Sequence, residues 1–479
     1  MRRLFFTFGL LFTFWSLGVE ALDIAQLKKF RSAVCSIYVN ANRSAYGDPV
    51  SWQGTGFICD KKRGIICTNH HVVGRGGVVG TYDIEFVNGQ KVEARLLYAD
   101  PWHDFAFLEI ATPSLIPEAV QELNTFSEPK LGESIFIAGN NQVQSFSFQE
   151  GRVSVLYTNG GFMPEPSFGC LVNAVGGSSG SPVVNDQLEV VGINFAGFGD
   201  GRCLEIRSRV LKEALSHLQQ GRLPPRRHIG VMVSLTSLEP QIKLLQFPQK
   251  VAKKYLKDYP TASFRVLEVI GTLRGSPAEG VFEIGDVLVS VNGKIFGPDL
   301  AAFEKILNEA QGDFVQVGFY REGQFLEKKV PLYNLHDFSI KRLVVFGGMT
   351  FFEADDLMRW QYGVKPHQVM SMNVLPGSSF APLVQELGGQ LFLMEEESID
   401  ALLGTLSAWL IKREFFFYFR VATPVNSGYD QIFFVNRFKR KAFISYEASQ
   451  NLPPELLEWS FKEREWKTRS LMCELVAGG

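Results

Sequence analysis

Cysteine is scarce: the chain of 479 residues has six. That is too few for a disulfide scaffold in a chain of this length. No Cys-x-x-Cys spacing occurs, which excludes the usual zinc-ribbon and dithiol redox motifs. Excess charge of either sign is also missing. The formal net charge is −2, so nothing in the overall field favours nucleic acid as a partner. Beyond the N-terminus no apolar run has the length and freedom from charge of a membrane span; the richest, Phe415–Phe419, is far too short. No low-complexity tract interrupts the chain.

Apolar residues are plentiful. The hydrophobic fraction is 46%, with 41 phenylalanines, which suits sizeable cores in a β-rich protein. At about 150 residues per domain the length suggests three domains. The N-terminus has a separate character. Met1-Arg2-Arg3 is followed by the uncharged run Leu4–Val19 and then Val19-Glu20-Ala21. This is the pattern of a secretory signal cut after Ala21. An uncleaved anchor is the alternative, but the run is shorter than the ~20 apolar residues that usually cross a bilayer.

After a short amphipathic helix from Asp23 to about Phe30, the stretch Val34–Ile206 breaks into many short apolar strands. Turn signals such as Asn88-Gly89 and Asn185-Asp186 separate them. Close spacing of this kind argues for antiparallel barrels rather than βαβ units. A helical pattern at Val210–Leu218 leads into Gly221-Arg222-Leu223-Pro224-Pro225-Arg226-Arg227, which reads as a domain linker. The expected division is 1–21 signal, 22–220 first domain, 228–335 second, 337–460 third and 461–479 a charged tail. Leu273–Ala278 and Leu375–Ala381 share a weak pattern that suggests an internal repeat. Cys59 with Cys67, and Cys170 with Cys203, are placed where they could pair, though buried free thiols account for them equally well.

Three segments carry chemistry. Gly176-Gly177-Ser178-Ser179-Gly180-Ser181-Pro182 offers a serine between glycines, whose backbones can turn N–H groups toward a developing oxyanion. Thr68-Asn69-His70-His71-Val72-Val73 offers an imidazole at a strand end, and Asp100-Pro101-Trp102-His103-Asp104 a carboxylate just before a strand. Serine acyl transfer needs these three groups: a hydroxyl to attack, an imidazole to take its proton, a carboxylate to orient the imidazole. Each segment alone has a plainer reading: a Gly/Ser turn, a core histidine, a strand-initiating aspartate. Adjacent histidines also raise a metal site, but neighbouring side chains diverge and chelate poorly.

Together the three segments resemble the HtrA/Deg group of trypsin-like proteases, which reads Thr-Asn-x-His-Val-Val, Asp-Pro-x-x-Asp-(Leu/Phe)-Ala and Gly-(Asn/Ser)-Ser-Gly-(Gly/Ser)-(Pro/Ala). Residue by residue the match selects His71 over His70, Asp104 over Asp100, and Ser179 over Ser178 and Ser181 as the catalytic triad. The oxyanion hole falls on the N–H groups of Gly177 and Ser179. Val191-Gly192-Ile193-Asn194 resembles the group's substrate-pairing strand, so Ile193, Asn194, Phe195 and Ala196 become candidate substrate-binding residues. Because Gly192–Gly199 holds no acidic residue, cleavage after small or medium aliphatic residues is expected. The family's Gly-Asn-Pro is here Gly139-Asn140-Asn141, and Cys170–Ala174 replaces its Thr-Asp-Ala stretch.

The resemblance implies an all-β chymotrypsin-like double β-barrel followed by PDZ-like domains of mixed α/β type. His228-Ile229-Gly230-Val231 resembles a carboxylate-binding loop, which would make these four residues the peptide-binding site of a permuted PDZ domain. The third unit resembles a degenerate second copy. The implied function is an exported, periplasmic or secreted serine endopeptidase that acts on unfolded or exported proteins and captures C-terminal peptides. No cofactor, no metal and no nucleic acid are implied; a homo-oligomer is, with the trimer as the group's common form. The rival is a chaperone or PDZ scaffold with an idle protease fold.

Overall fold

The computed structural model describes residues 22–45, 51–74, 76–142, 144–159, 165–374, 391–394, 396–412, 414–422, 438–445 and 455–471. The signal-like segment 1–21 and the second copy of the suspected repeat, 375–381, lie outside them.

The chain enters through helix α1 (Ile24–Ser32). Asp23 accepts from the Gln26 N–H while the Gln26 side chain accepts from the Asp23 N–H, a capping box that fixes where the helix starts. Six strands follow: β1 (Val34–Ser44), β2 (Ser51–Asp60), β3 (Ile65–Thr68), β4 (Val78–Phe86), β5 (Lys91–Asp100) and β6 (Phe105–Glu109). Between β3 and β4 lies a one-turn helix, α2 (His70–Val73). The strands close into an antiparallel barrel in the order β1-β2-β3-β6-β5-β4. A second closed barrel, β10-β11-β12-β9-β8-β7, is made of β7 (Ser134–Asn141), β8 (Gln144–Thr158), β9 (Ser167–Leu171), β10 (Pro182–Val184), β11 (Val190–Gly197) and β12 (Arg202–Arg207). Closure leaves no free sheet edges in either barrel. This is the double barrel the sequence led us to expect.

One apolar cluster joins the barrels. Phe57 and Phe107 of the first meet Phe136, Val184 and Ile206 of the second, with Phe30 of α1 and Leu211 of α3 (Ser208–Gln219) closing the seam. Fully burying side chains of this size contributes about 1.5–3 kcal/mol each, so the seam holds the two barrels in register.

The next unit is a sheet in the order β14-β15-β16-β18-β19, built from β14 (Val231–Ser237), β15 (Arg265–Thr272), β16 (Val287–Val291), β18 (Phe314–Arg321) and β19 (Gln324–Pro331). The short β17 (Lys294–Ile295) pairs with β16, and β13 (Arg227–His228) pairs with β20 (Tyr333–Asn334). Helices α4 (Leu238–Lys243), α5 (Gln249–Asp258) and α6 (Leu300–Glu309) complete it. Asp299 caps α6 by accepting from the Ala302 N–H.

The last unit is one eight-stranded antiparallel sheet, β26-β25-β24-β23-β22-β21-β27-β28. Its members are β21 (Arg342–Phe346), β22 (Met349–Glu353), β23 (Val369–Val374), β24 (Leu391–Met394), β25 (Glu414–Ala422), β26 (Phe438–Ser445), β27 (Glu455–Ser460) and β28 (Glu465–Ser470), with helices α7 (Asp356–Tyr362) and α8 (Ile399–Lys412). The segment after Phe461 was read as a charged tail. Instead Glu465–Ser470 hydrogen-bonds along β27, with Trp459 opposite Trp466. Alternating charged residues on a solvent-facing edge strand look like a tail in sequence.

Candidate active site

The first-barrel half of the site is set by α2. Asn69 donates from Nδ2 to the Asp104 carbonyl at 2.9 Å, tying the helix start to the loop before β6. Val72 packs under Gly54, where an added Cβ would lie 2.5 Å from a Val72 methyl, and the Trp52 indole donates to the Val72 carbonyl at 2.7 Å. With α2 held so, His70 points inward, 5% exposed, and His71 stays half-buried with its ring accessible.

His71 is held by Asp104 at two points. Its backbone N–H donates to Asp104 Oδ1 at 2.9 Å, and its Nδ1 lies 2.6 Å from Oδ2. Asp104 is buried and has φ +54°, a left-handed conformation that aspartate tolerates better than most residues. That turn aims the carboxylate at the imidazole. A carboxylate on Nδ1 leaves Nε2 as the acceptor of the neutral ring.

The second-barrel half is the loop Gly176–Ser181 between β9 and β10. It is stitched to the first barrel: the Thr55 N–H donates to the Ser179 carbonyl at 2.9 Å, Thr55 Oγ1 donates to the Gly177 carbonyl at 2.8 Å, and Thr68 Oγ1 donates to the Thr55 carbonyl at 2.7 Å. Gly180, at φ +87°, packs so closely that an added Cβ would come within 1.9 Å of the Thr55 carbonyl and 2.4 Å of Thr68 Oγ1. Since Thr68 lies three residues before His71, this contact brings Ser179 to the histidine's side of the cleft. Ser179 is half-buried, and its hydroxyl forms no hydrogen bond among the described residues. Ser178, by contrast, donates to the Val175 carbonyl at 2.6 Å, and Ser181 is fully buried. The N–H groups of Gly177, at φ +96°, and of Ser179 have no acceptor among the described residues. They are therefore free for an oxyanion.

Asn140 and Asn141 complete the frame. Asn140 donates to the Gly54 carbonyl at 3.0 Å and accepts from Ser36 Oγ at 3.0 Å; Asn141 Oδ1 accepts from the Val175 N–H at 3.2 Å. Asn141 stands where the resembled motif has proline, and it gives the loop a side-chain acceptor that proline could not.

Of the candidate substrate residues, Ile193, Asn194 and Phe195 are buried and Ala196 is half-exposed. Asn194 is committed elsewhere: its N–H donates to the Ser181 carbonyl and its carbonyl accepts from the Gly180 N–H, both at 2.9 Å. Its side chain donates to Glu205 Oε1 at 3.3 Å. Glu205 went unnoticed in the sequence because it lies on β12, outside Gly192–Gly199. The register sets it directly opposite Asn194. It is fully buried; Cys203 Sγ donates to it at 2.8 Å, and burial pushes its carboxyl up to about 7. So a carboxyl does stand behind the strand whose own residues lack one. Cys203 faces Cys170 across the same sheet, and both are free thiols, as are Cys59 and Cys67.

The expected peptide-binding loop is closed. His228 and Val231 are buried, Ile229 is fully so, and the Gly230 N–H donates to His228 Nδ1 at 3.0 Å. The Trp102 ring covers His228 at a centroid distance of 4.8 Å. No cluster of three or more metal-type ligands occurs among the described residues.

The family model for a trypsin-like peptidase domain matches residues 54–193, the span that carries all three site segments. Fungal proteins named pro-apoptotic serine protease NMA111 match further. That of Phaeosphaeria nodorum is 31% identical over 335 residues, covering 67% of this chain and 32% of the relative. That of Lodderomyces elongisporus is 29% identical over 315 residues, covering 62% and 31%. The chain thus carries a trypsin-like peptidase domain and is similar to these serine proteases. Among solved structures of that group, an HtrA-type protease AlgW with tripeptide is 20% identical with a TM-score of 0.47, covering 64% of this chain and 95% of that one. A serine endoprotease from Yersinia pestis gives 20% and 0.42, covering 64% and 96%. The chain spans about a third of the length of the curated relatives it matches. Those relatives are fungal, that is eukaryotic, proteins. The periplasmic or secreted placement expected from the N-terminus is thereby overturned. Among the described residues no helix is long and apolar enough to cross a membrane.

Proposed function

We propose that this chain is a serine endopeptidase with Ser179 as nucleophile, His71 as general base and Asp104 as the carboxylate that orients His71. The observation that carries the reading is the double grip of Asp104 on His71, with the ring at 2.6 Å, facing a serine loop anchored on Thr55. Ser179 Oγ attacks the scissile carbonyl and passes its proton to His71 Nε2; the N–H groups of Gly177 and Ser179 receive the oxyanion; the protonated imidazole then gives its proton to the leaving amine. Water hydrolyses the acyl-enzyme by the same route. Substrates are extended segments of unfolded polypeptide, because a cleft between two rigid barrels admits a chain only in extended form. Capture of a C-terminus at His228–Val231 requires the Gly230 N–H to leave His228 Nδ1 first.

The test is cleavage of an unfolded model protein. Ser179→Ala should lose on the order of 10⁴–10⁶ in turnover with its thermal transition unchanged, while Ser178→Ala and Ser181→Ala retain measurable cleavage. Undiminished cleavage by purified Ser179→Ala would refute the assignment.

A further inference from the structure

The loop that delivers Asp104 is held from outside the protease barrels. Asp100 Oδ1 accepts from the N–H groups of Trp102 and His103 at 3.1 and 3.0 Å, folding Asp100–Asp104 into a tight turn. Two of the turn's side chains reach helix α6 of the next unit. Trp102 Nε1 donates to Glu304 Oε1 at 3.0 Å, and His103 Nε2 contacts Glu304 Oε2. Arg226, from the linker, closes the ring by pairing with Asp100 at 2.9 Å and with Glu304 at 3.2 Å. All five residues are at least nine-tenths buried. The linker residue Arg226 is thus one of the bonded groups.

A buried carboxylate alone would be costly; here two cationic-type partners and an indole satisfy it. Burial opposes its charge, yet His103 and Arg226 hold the Glu304 carboxyl down at about 2, so it stays ionised. The residue that follows this clamped turn is Asp104, at φ +54°. A left-handed backbone at a functional residue persists only when its surroundings over-determine it.

We propose that Glu304 is a positioning residue for the proteolytic reaction, acting across the domain boundary: through Trp102 and His103 it fixes the turn that aims Asp104 at His71. The inference rests on the protease reading above, and it makes the docked α6 unit a component of the catalytic apparatus rather than an appended binding module.

The variants are Glu304→Gln, which keeps the shape and removes the charge, and Trp102→Phe, which keeps the ring and removes its N–H. Lys305→Ala is the control: on the same helix, Lys305 pairs with Glu213 at 2.8 Å on the partly exposed side. Glu304→Gln and Trp102→Phe should each lower kcat roughly 10- to 100-fold with KM unchanged, because misaimed catalytic groups cost rate and not ground-state binding. Both should also speed amide hydrogen exchange across Asp100–Asp104, while Lys305→Ala changes neither readout. Exchange at wild-type level in both variants overturns the proposal whatever the rates are. If the wild type cleaves nothing, the protease reading falls, but the exchange measurement still decides whether Glu304 holds the turn.

Discussion

His70 and His71 are identical in chemistry and adjacent in sequence, and what separates them is direction. A one-turn helix tied down by Asn69 and Val72 turns the first inward and the second toward Asp104. His71→Ala should therefore abolish peptide hydrolysis, and His70→Ala should retain most of it at reduced stability; the reverse order of activities would shift the assignment by one residue. The resemblance to the Thr-Asn-x-His-Val-Val pattern selects His71 from the sequence. Glu205 was not legible, because its importance comes from a strand register and not from any motif. Its carboxyl is raised to about 7 by burial, so it adds stability that is full below the ordinary carboxylate value of about 4.3 and fades as pH rises through about 7. Glu205→Gln should flatten the fall in melting temperature between about pH 4.5 and pH 7. An unchanged pH profile in that variant would show that the carboxyl does not titrate there.

At the scale of elements, the two barrels follow from many short apolar strands separated by turns, a pattern that the sequence displays openly. The loops between the strands are harder to read. The Gly176–Ser181 segment looks like any Gly/Ser turn until Thr55, distant in sequence, is seen to bind its carbonyls, and Thr55 with Thr68 to leave no room for a Cβ at Gly180. Asn141 likewise acquires meaning only from the Val175 N–H it accepts. The edge strand Glu465–Ser470 went unread because its charged face is exposed and only its backbone reports the sheet. In the two loops the missing information was long-range pairing, which local pattern does not encode.

For the whole molecule, the contacts around Trp102 decide how the units work together. Trp102 stacks edge-on against His228 at 4.8 Å and against Trp360 at 5.5 Å, so one side chain of the protease loop meets both following units. His228 is buried there and depressed to about 4, chiefly by burial. A depressed folded value means that the unfolded chain takes up the proton first as pH falls. The junction therefore has its full stability above about pH 6.5 and loses it progressively toward pH 4. His228→Phe should reduce the loss of melting temperature between about pH 7 and pH 5, measured by calorimetry; a loss equal to wild type would mean that the imidazole stays uncharged for some other reason, or titrates without cost. The resemblance implies a peptide-binding loop here, and in the structure the same residues also pack against Trp102, which no linear motif reports.

The central claim is that one serine of three is an activated nucleophile. An organophosphonate probe reads this directly, because it is attacked only by a serine whose proton a neighbouring base accepts and whose oxyanion is held. After reaction, the chain is digested and the adduct mapped by mass. The account predicts a single adduct, on Ser179, that fails to form in His71→Ala. An adduct on Ser178 or Ser181, one that forms equally well without His71, or none at all on the folded wild type would contradict it.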